Sequence, residues 1–420
     1  MPKDADKEIR DWRLIELRSG EIGGTKAGGT VEMTRLARRV QGFGTTIFAE
    51  MTMLANEHKA VNLGQGFPDF AAPEFIKEAA RESIAAEINQ YAPGSGQPRL
   101  RRAIAQKMHR HYGLVVDPDR EVTVTVGATE AIFAAIMGLV DAGDEVILFE
   151  PYYDSYLPSL QFAGGVPRLY TLRPPDWGID EEELEALFNE RTKVIILNTP
   201  HNPTGKVFSE DELALIARLC TEHDVVAVVD EVYEHIVFDG ERHHSLLAMP
   251  GMRERTVSIS SAGKTFSVTG WKVGWSVAAP ELSQAVFRAH QFITYSGAAP
   301  LQEAAAHALE LADEQGYYEE LGTMYQAKRD YLLQALRAAG LQPIPPKGTY
   351  FVMVDISELG FDDDVAFCRY LTTDVGVAAI PPSAFYTTTG GGQMLARFAF
   401  CKTEAALEEA GRRLRRWRGV

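Results

Sequence analysis

The stretch TVSISSAGKTF, Thr256 to Phe266, runs from a short apolar segment into one lysine held among small residues. A lone lysine in a Ser/Gly-rich turn is ordinarily a solvated surface group, so its surroundings decide how it is read. The apolar segment has counterparts along the chain. VTVTV (122–126), EVILF (145–149) and KVIILN (193–198) each precede a longer amphipathic stretch, and VVAVVD (225–230) comes before TVSIS. Near-continuous apolar strands alternating with helices predict a parallel sheet covered on both faces. In such sheets ligands gather beyond the carboxyl ends of the strands. Lys264 therefore stands where chemistry is expected, and so do the residues after each of the other runs.

Those residues are chemically loaded. After VTVTV, Gly127, Ala128 and Thr129 open a helix, and small residues there leave N–H groups free to face an anion. EPYYDSY (150–156) places aromatics at a second strand end, where core packing is the ordinary role of Tyr152 and Tyr153. TPHNPTGKV (199–207) has two prolines that stiffen a turn around Asn202. Asp230 ends an entirely apolar strand, so its carboxylate needs a cationic partner or strong hydrogen bonds. Tyr233 follows one turn later.

The totals narrow the class. A chain of 420 residues fits a large α/β domain with a smaller companion. The net charge of −16 argues against nucleic acid or an acidic membrane as partner. The basic run GRRLRRWRGV (411–420) reads as a solvated last helix, with its cations placed well for the helix dipole. Cys220, Cys368 and Cys401 show neither paired nor metal-ligand spacing, and predict reduced thiols in a cytoplasmic protein. No apolar stretch approaches membrane-spanning length, and the first residues lack a secretory pattern. From about Leu301 a long helical stretch leads into short strands, GTYFVMVDIS (348–357), VGVAAIPP (375–382) and LARFAF (395–400), which suggests a compact α+β domain.

A phosphate nest, an aromatic face, an Asn, a buried Asp with a Tyr nearby and a lysine match what pyridoxal phosphate demands. Its aldehyde needs a lysine, and its ring nitrogen needs a carboxylate that keeps it protonated. The stretches VNLGQGFPDF, YAPGSGQPRLR, TVGATEA, NTPHNPTGK, DEVYEHIVF, SSAGKTFSVTGWKVGW, GTYFVMVDIS and RFAFCK succeed one another in order. On these motifs the sequence resembles the fold-type I pyridoxal-phosphate aminotransferases of class I/II, from about Phe43 to the C-terminus. The subgroup it is most similar to holds the methionine, glutamine and kynurenine aminotransferases.

The resemblance implies a large, mostly parallel seven-stranded sheet domain with helices on both faces, beside a smaller α+β domain. Its expected bounds are a loosely held extension over 1–42, an arm over 43–75, the cofactor-binding domain over 76–300, and the rest of the small domain over 301–420. It implies that Lys264 forms the Schiff base and shuttles the proton, and that Asp230 pairs with the pyridinium nitrogen. Tyr233 and Asn202 would hydrogen-bond the phenolic oxygen, and Tyr153 would stack on the ring. The N–H groups of Ala128 and Thr129, with Ser261 and Lys272, would bind the phosphate. Many relatives have arginine where Lys272 stands, so the phosphate contact here is expected to be a single point. Arg397 would grip the substrate carboxylate, with Asn202 beside it and Gly66 letting backbone approach. The resemblance also implies a homodimer with shared active sites, in which Tyr91 reaches the neighbouring phosphate and Tyr295 the neighbouring pocket.

Around HQFITYSGAAP (290–300) no arginine appears that could pair with a distal carboxylate, and Arg288 is expected to be solvated. Phe67, Tyr295 and Tyr350 are the expected pocket aromatics. Neutral amino donors are therefore expected before aspartate. FGTTIF (43–48) lacks the tryptophan of kynurenine-preferring relatives and looks like the methionine branch, which places methionine first. Two rivals share parts of this reading. A carbon–sulfur β-lyase would use the same first half-reaction on a substrate with a leaving group at Cβ. A cofactor-sensing regulator would need a DNA-binding module, for which the segment before Phe43 is short and has no helix-turn-helix pattern.

Overall fold

The computed structural model describes residues 36–419. Most of the extension expected over 1–42 lies outside them, and Arg38–Val40 forms a single 3-10 turn. From Ile47 onward the strands are, in chain order, β1 (Val61–Asn62), β2 (Val122–Thr125), β3 (Glu145–Glu150), β4 (Val166–Thr171), β5 (Thr192–Asn198), β6 (Val226–Asp230), β7 (Thr256–Ser261), β8 (Gly274–Ala278), β9 (Gln342–Ile344), β10 (Phe351–Asp355), β11 (Val377–Ala378) and β12 (Leu395–Ala399).

Seven of them make one sheet in the order β2-β8-β7-β6-β5-β3-β4. Only β8 runs antiparallel to its neighbours, β2 and β7. The central strands are apolar along their length because helices cover both faces. Val194, Ile195, Ile196 and Leu197 in β5 and Ala227, Val228 and Val229 in β6 are fully or almost fully buried. Each large aliphatic side chain hidden this way contributes about 1.5–3 kcal/mol. The five apolar runs of the sequence are all strands of this sheet. The other two strands interrupt the pattern. β4 lies at the edge and is largely half-buried, with Pro167 and Arg168 breaking its apolar run. β8 begins inside GWKVGWSV, a stretch whose glycines and lysine hide its strand character.

The helical stretch after Leu301 is two helices, Ala299–Ala312 and Tyr317–Ala338, because Gly316 adopts a left-handed conformation between them. Beyond them β9, β10 and β12 form an antiparallel sheet in the order β12-β10-β9. β1 pairs in parallel with β11, Val61 opposite Val377, so the early chain returns to the C-terminal part. Among the described residues no helix is long and apolar enough to cross a membrane. The three cysteines are buried and unpaired.

Candidate active site

The parallel strands β2, β3, β5, β6 and β7 all end at one edge of the large sheet, and the antiparallel β8 begins there. A cavity of about 300 Å³ opens at that edge. Its wall brings together Ala128, Thr129, Tyr153, Asn202, Asp230, Tyr233, Ser261, Lys264 and Lys272 from the strand ends, with Gly66 from the loop after β1 and Arg397 from β12. Tyr152 is buried as expected, its hydroxyl 2.7 Å from Thr387 Oγ1.

Asp230 sits at the end of β6 and is buried. Its Oδ2 accepts from Tyr156 Oη at 2.8 Å, and its Oδ1 from the Val232 N–H at 3.3 Å. Burial pushes its pKa up to about 6, against the pull of these two hydrogen bonds and the Lys264 charge. A carboxylate in this state gains most from a cation arriving in the cavity. The Tyr233 phenol is held well above its ordinary value by burial.

Lys264 comes three residues after β7 and projects into the cavity from a short helical turn, Ala262–Thr265. Its Nζ donates to Tyr350 Oη at 2.9 Å and to the Gly66 carbonyl at 3.3 Å, while Tyr350 donates to the same carbonyl at 2.6 Å. The ammonium lies 5.5 Å from the ring centroids of both Tyr233 and Tyr350. Burial lowers its pKa to about 8, so a useful fraction is the free amine near neutral pH. Gly66 is required by close approach: a Cβ there would lie 2.6 Å from Phe351 Cζ.

Opposite, the chain forms an anion cradle. Gly127 has φ +80°, and a Cβ on it would meet Lys272 Nζ at 3.1 Å. A Cβ on Gly274 would fall 2.4 Å from the carbonyl carbon of Gly127. Both positions must be glycine for the start of the Gly127–Leu139 helix to pack against β8. The N–H groups of that first turn, the Ser261 hydroxyl and the Lys272 ammonium then line one end of the cavity.

Arg397, on β12, is 1% exposed and stacks between Phe351 and Phe385, whose centroids lie 4.2 and 5.0 Å away. Nη1 donates to Asn202 Oδ1 at 3.1 Å and Nη2 to the Gly64 carbonyl at 2.9 Å. Its buried Nε has no partner among the described residues. Burial lowers its pKa to about 10, which leaves it charged at neutral pH.

Some expectations are corrected. Phe67 and Tyr350 do not line the cavity. Phe67 is 47% exposed and lies under Lys402, and Tyr350 is fully buried behind Lys264, where its hydroxyl is the nearest group. Beside Tyr153 and Tyr233, the aromatics of the wall among the described residues are Phe48 and Phe351. Tyr91 and Tyr295 are outside the cavity of their own chain, paired edge-on at 5.6 Å and exposed at 84% and 51%. Arg288 is exposed. Sequence reasoning also missed Asn198, Asp154 and Tyr156. Asn198 closes β5, receives the Asn202 N–H at 2.7 Å and donates to the Asp230 carbonyl at 2.8 Å, tying two strand ends together. Its place as the last letter of KVIILN was the available signal.

The model of the family described as aminotransferase class I and II matches residues 58–414. The chain belongs to this family. Its members use pyridoxal 5′-phosphate, and the cavity fits that group: a lysine amine, a buried carboxylate short of a cation, and an anion cradle all line it. The chain is 46% identical to the methionine aminotransferase of Escherichia coli, over 89% of this chain and 96% of that one. It is 42% identical to a kynurenine–oxoglutarate transaminase of Dictyostelium discoideum, over 89% and 94%. A solved Escherichia coli structure ascribed a methionine aminotransferase function superposes with a TM-score of 0.88 at 45% identity, covering 91% of this aminotransferase and 99% of that chain. The N-succinyldiaminopimelate aminotransferase structure from Mycobacterium tuberculosis gives 0.87 at 46%, covering 90% and 99%.

Proposed function

We propose that this aminotransferase takes its amino group from a neutral or aromatic L-amino acid, methionine before kynurenine, and passes it to a 2-oxo acid. When bound, pyridoxal phosphate supplies an aldehyde for the amine and a ring that accepts the electron pair left at the substrate Cα. Lys264 Nζ, whose pKa burial lowers to about 8, would be the base that takes the Cα proton and holds it for return. Asp230 would keep the ring nitrogen protonated, and Tyr156 orients that carboxylate. Tyr233 and Asn202 would hold the phenolic oxygen, Asn202 through the Nδ2 donor that its bond with Arg397 leaves over. Tyr153 would cover the ring. The N–H groups of Ala128 and Thr129, Ser261 and Lys272 would hold the phosphate. Arg397, with Gly66 and Asn202 beside it, holds the substrate carboxylate.

The observation that carries the donor class is the count of cations in the wall. Among the described residues they are Lys264, Lys272 and Arg397. With these given to the carbonyl, the phosphate and the α-carboxylate, this chain's own wall offers none for a distal carboxylate, the stretch 290–300 expected to reach a partner's pocket has no arginine, and Phe48 and Phe351 suit an apolar side chain. The Escherichia coli and Dictyostelium relatives support the same class by name, whereas the Mycobacterium relative is named for a different substrate at equal identity. Comparing kcat/KM for methionine, phenylalanine, glutamine, kynurenine, aspartate and N-succinyldiaminopimelate tests the reading, and aspartate as the best donor ends it.

The same proposal places the enzyme in the cytoplasm, on the evidence of three unpaired thiols, and in a homodimer. The exposed Tyr91–Tyr295 pair, outside its own cavity, supports a partner's site as its destination. Full activity in a sample shown by sedimentation to be monomeric would refute the dimer. We also assign 43–75 to an arm joining the small domain, 76–300 to the cofactor-binding domain and 301–420 to the rest of the small domain.

A further inference from the structure

Two carboxylates line the cavity, Asp230 and Asp154. Asp230 is committed to Tyr156 and the ring nitrogen. Asp154 is half-buried and accepts no side-chain hydrogen bond among the described residues; the cation that acts on it is Arg397, across the cavity wall. Its position is not loose. The preceding residues are clasped by the loop after the Pro382–Phe385 turn. Tyr152 N–H donates to the Phe385 carbonyl at 3.0 Å, and Glu150 accepts from Thr388 N–H at 3.0 Å and Thr388 Oγ1 at 2.6 Å. Phe385 in turn packs on the Arg397 guanidinium. One residue thus fixes the segment bearing the carboxylate and the cation it faces.

We propose that Asp154 is a specificity-determining residue: a fixed negative charge in the cavity wall that turns away substrates with a second carboxylate. It rests on the reading of Arg397 as the holder of the α-carboxylate. A substrate so held has its remaining atoms in the same small cavity as Asp154. For a neutral side chain the Asp154 charge is indifferent or a hydrogen-bond acceptor. For a distal carboxylate it is a like charge at close range in a poorly solvated space, with no uncommitted cation among the described lining residues to offset it. Asp154 also weakens the pull of Arg397, but it does so for every α-carboxylate, so that effect cancels in a ratio between substrates. Burial outweighs the pull of the Arg397 charge and raises the Asp154 pKa above its ordinary value, so the filter acts at neutral and higher pH, where the carboxylate is ionised.

The test is Asp154→Asn in the holoenzyme, with Asp154→Glu as the charge-keeping control. The ratio of kcat/KM for aspartate to that for methionine is expected to rise about tenfold in the Asn variant and to stay near wild type in the Glu variant. Calorimetric binding of glutarate against valerate should shift the same way, which separates charge exclusion from any effect on turnover. A ratio within twofold of wild type, or equal losses for both substrates, overturns the proposal. Should the Asn variant fail to fold, Asp154→Ser removes the same charge and is held to the same outcomes. A wild-type preference for aspartate would end the neutral-donor reading on its own, while the charge filter stands or falls on the change in ratio.

Discussion

Tyr156 Oη, at the start of the Tyr156–Ala163 helix, donates to Oδ2 of Asp230, at the end of β6, at 2.8 Å, and both residues are buried. The bond orients the carboxylate but does not neutralise the cost of hiding it. With its pKa raised from 3.8 to about 6, the folded cofactor-free protein holds the Asp230 proton more tightly than the unfolded chain does. Its stabilising contribution is therefore complete below pH 3.8 and is lost as the pH rises through about 6. At neutral pH the loss is roughly 3 kcal/mol.

The cofactor-free Asp230→Asn variant should accordingly melt higher than cofactor-free wild type above pH 6, with the gap closing toward pH 4. Its transamination should fall at least about a hundredfold, since an amide cannot hold the ring proton. Thermal melts of both proteins across that range check the sign. A gap independent of pH would show that Asp230 is unprotonated throughout.

Lys264 carries the opposite shift. Burial lowers its pKa to about 8, so the free amine grows as the pH rises through that value. Adding pyridoxal phosphate to the cofactor-free protein should give a visible absorbance band whose rate of appearance rises with pH and levels off with a midpoint near 8. A midpoint near the ordinary 10.5 would contradict the burial argument. Lys264→Ala should lose the band and the turnover while keeping its far-ultraviolet circular dichroism.

The anion cradle depends on glycine more than on charge. In Gly274→Ala the new methyl would sit 2.4 Å from the Gly127 carbonyl carbon and 2.6 Å from the Ala128 nitrogen, both backbone atoms that cannot rotate away. Cofactor affinity should fall at least about tenfold, measured by absorbance titration. Gly270→Ala, in the same segment, meets nothing within 4 Å and serves as the control. Equal affinities in the two variants would disprove the close-approach account.

The strand ends were legible because apolar runs of Val and Ile have few other uses, and in a parallel sheet the residues just past each run gather along one edge. That logic found Lys264, Asp230 and the Gly127 helix start without any contact information. It could not find Tyr156, whose hydroxyl meets Asp230 only because the Tyr156–Ala163 helix packs across the sheet. Nor could it separate Phe351 from Tyr350. The two are adjacent on and before β10, so they point to opposite faces, and one residue of register decides which ring meets the cavity. Phe48 reaches the wall from a helix more than 300 residues away in sequence from Arg397, a contact no local pattern announces.

Arg397 offers the sharpest test of the substrate side. Its guanidinium divides its donors: Nη1 serves Asn202, Nη2 serves the Gly64 carbonyl, and the buried Nε has no protein partner among the described residues. The rings of Phe351, Phe385 and Phe48 pack on the guanidinium with centroids at 4.2, 5.0 and 5.2 Å, which crowds any reorientation of the fork. Arg397→Lys keeps the charge but concentrates three donors at one point, which cannot serve Asn202, Gly64 and a carboxylate together. The loss of one or two charge-assisted hydrogen bonds is worth about 2–3 kcal/mol. For methionine, kcat/KM should drop about a hundredfold, mostly through KM, because the carboxylate is held alike in the ground and transition states. Valerate binding should weaken to a similar degree, whereas the absorbance band of the lysine-bound cofactor should persist. Unchanged KM with a collapsed kcat would place Arg397 in the chemistry at Cα and leave the α-carboxylate to another group.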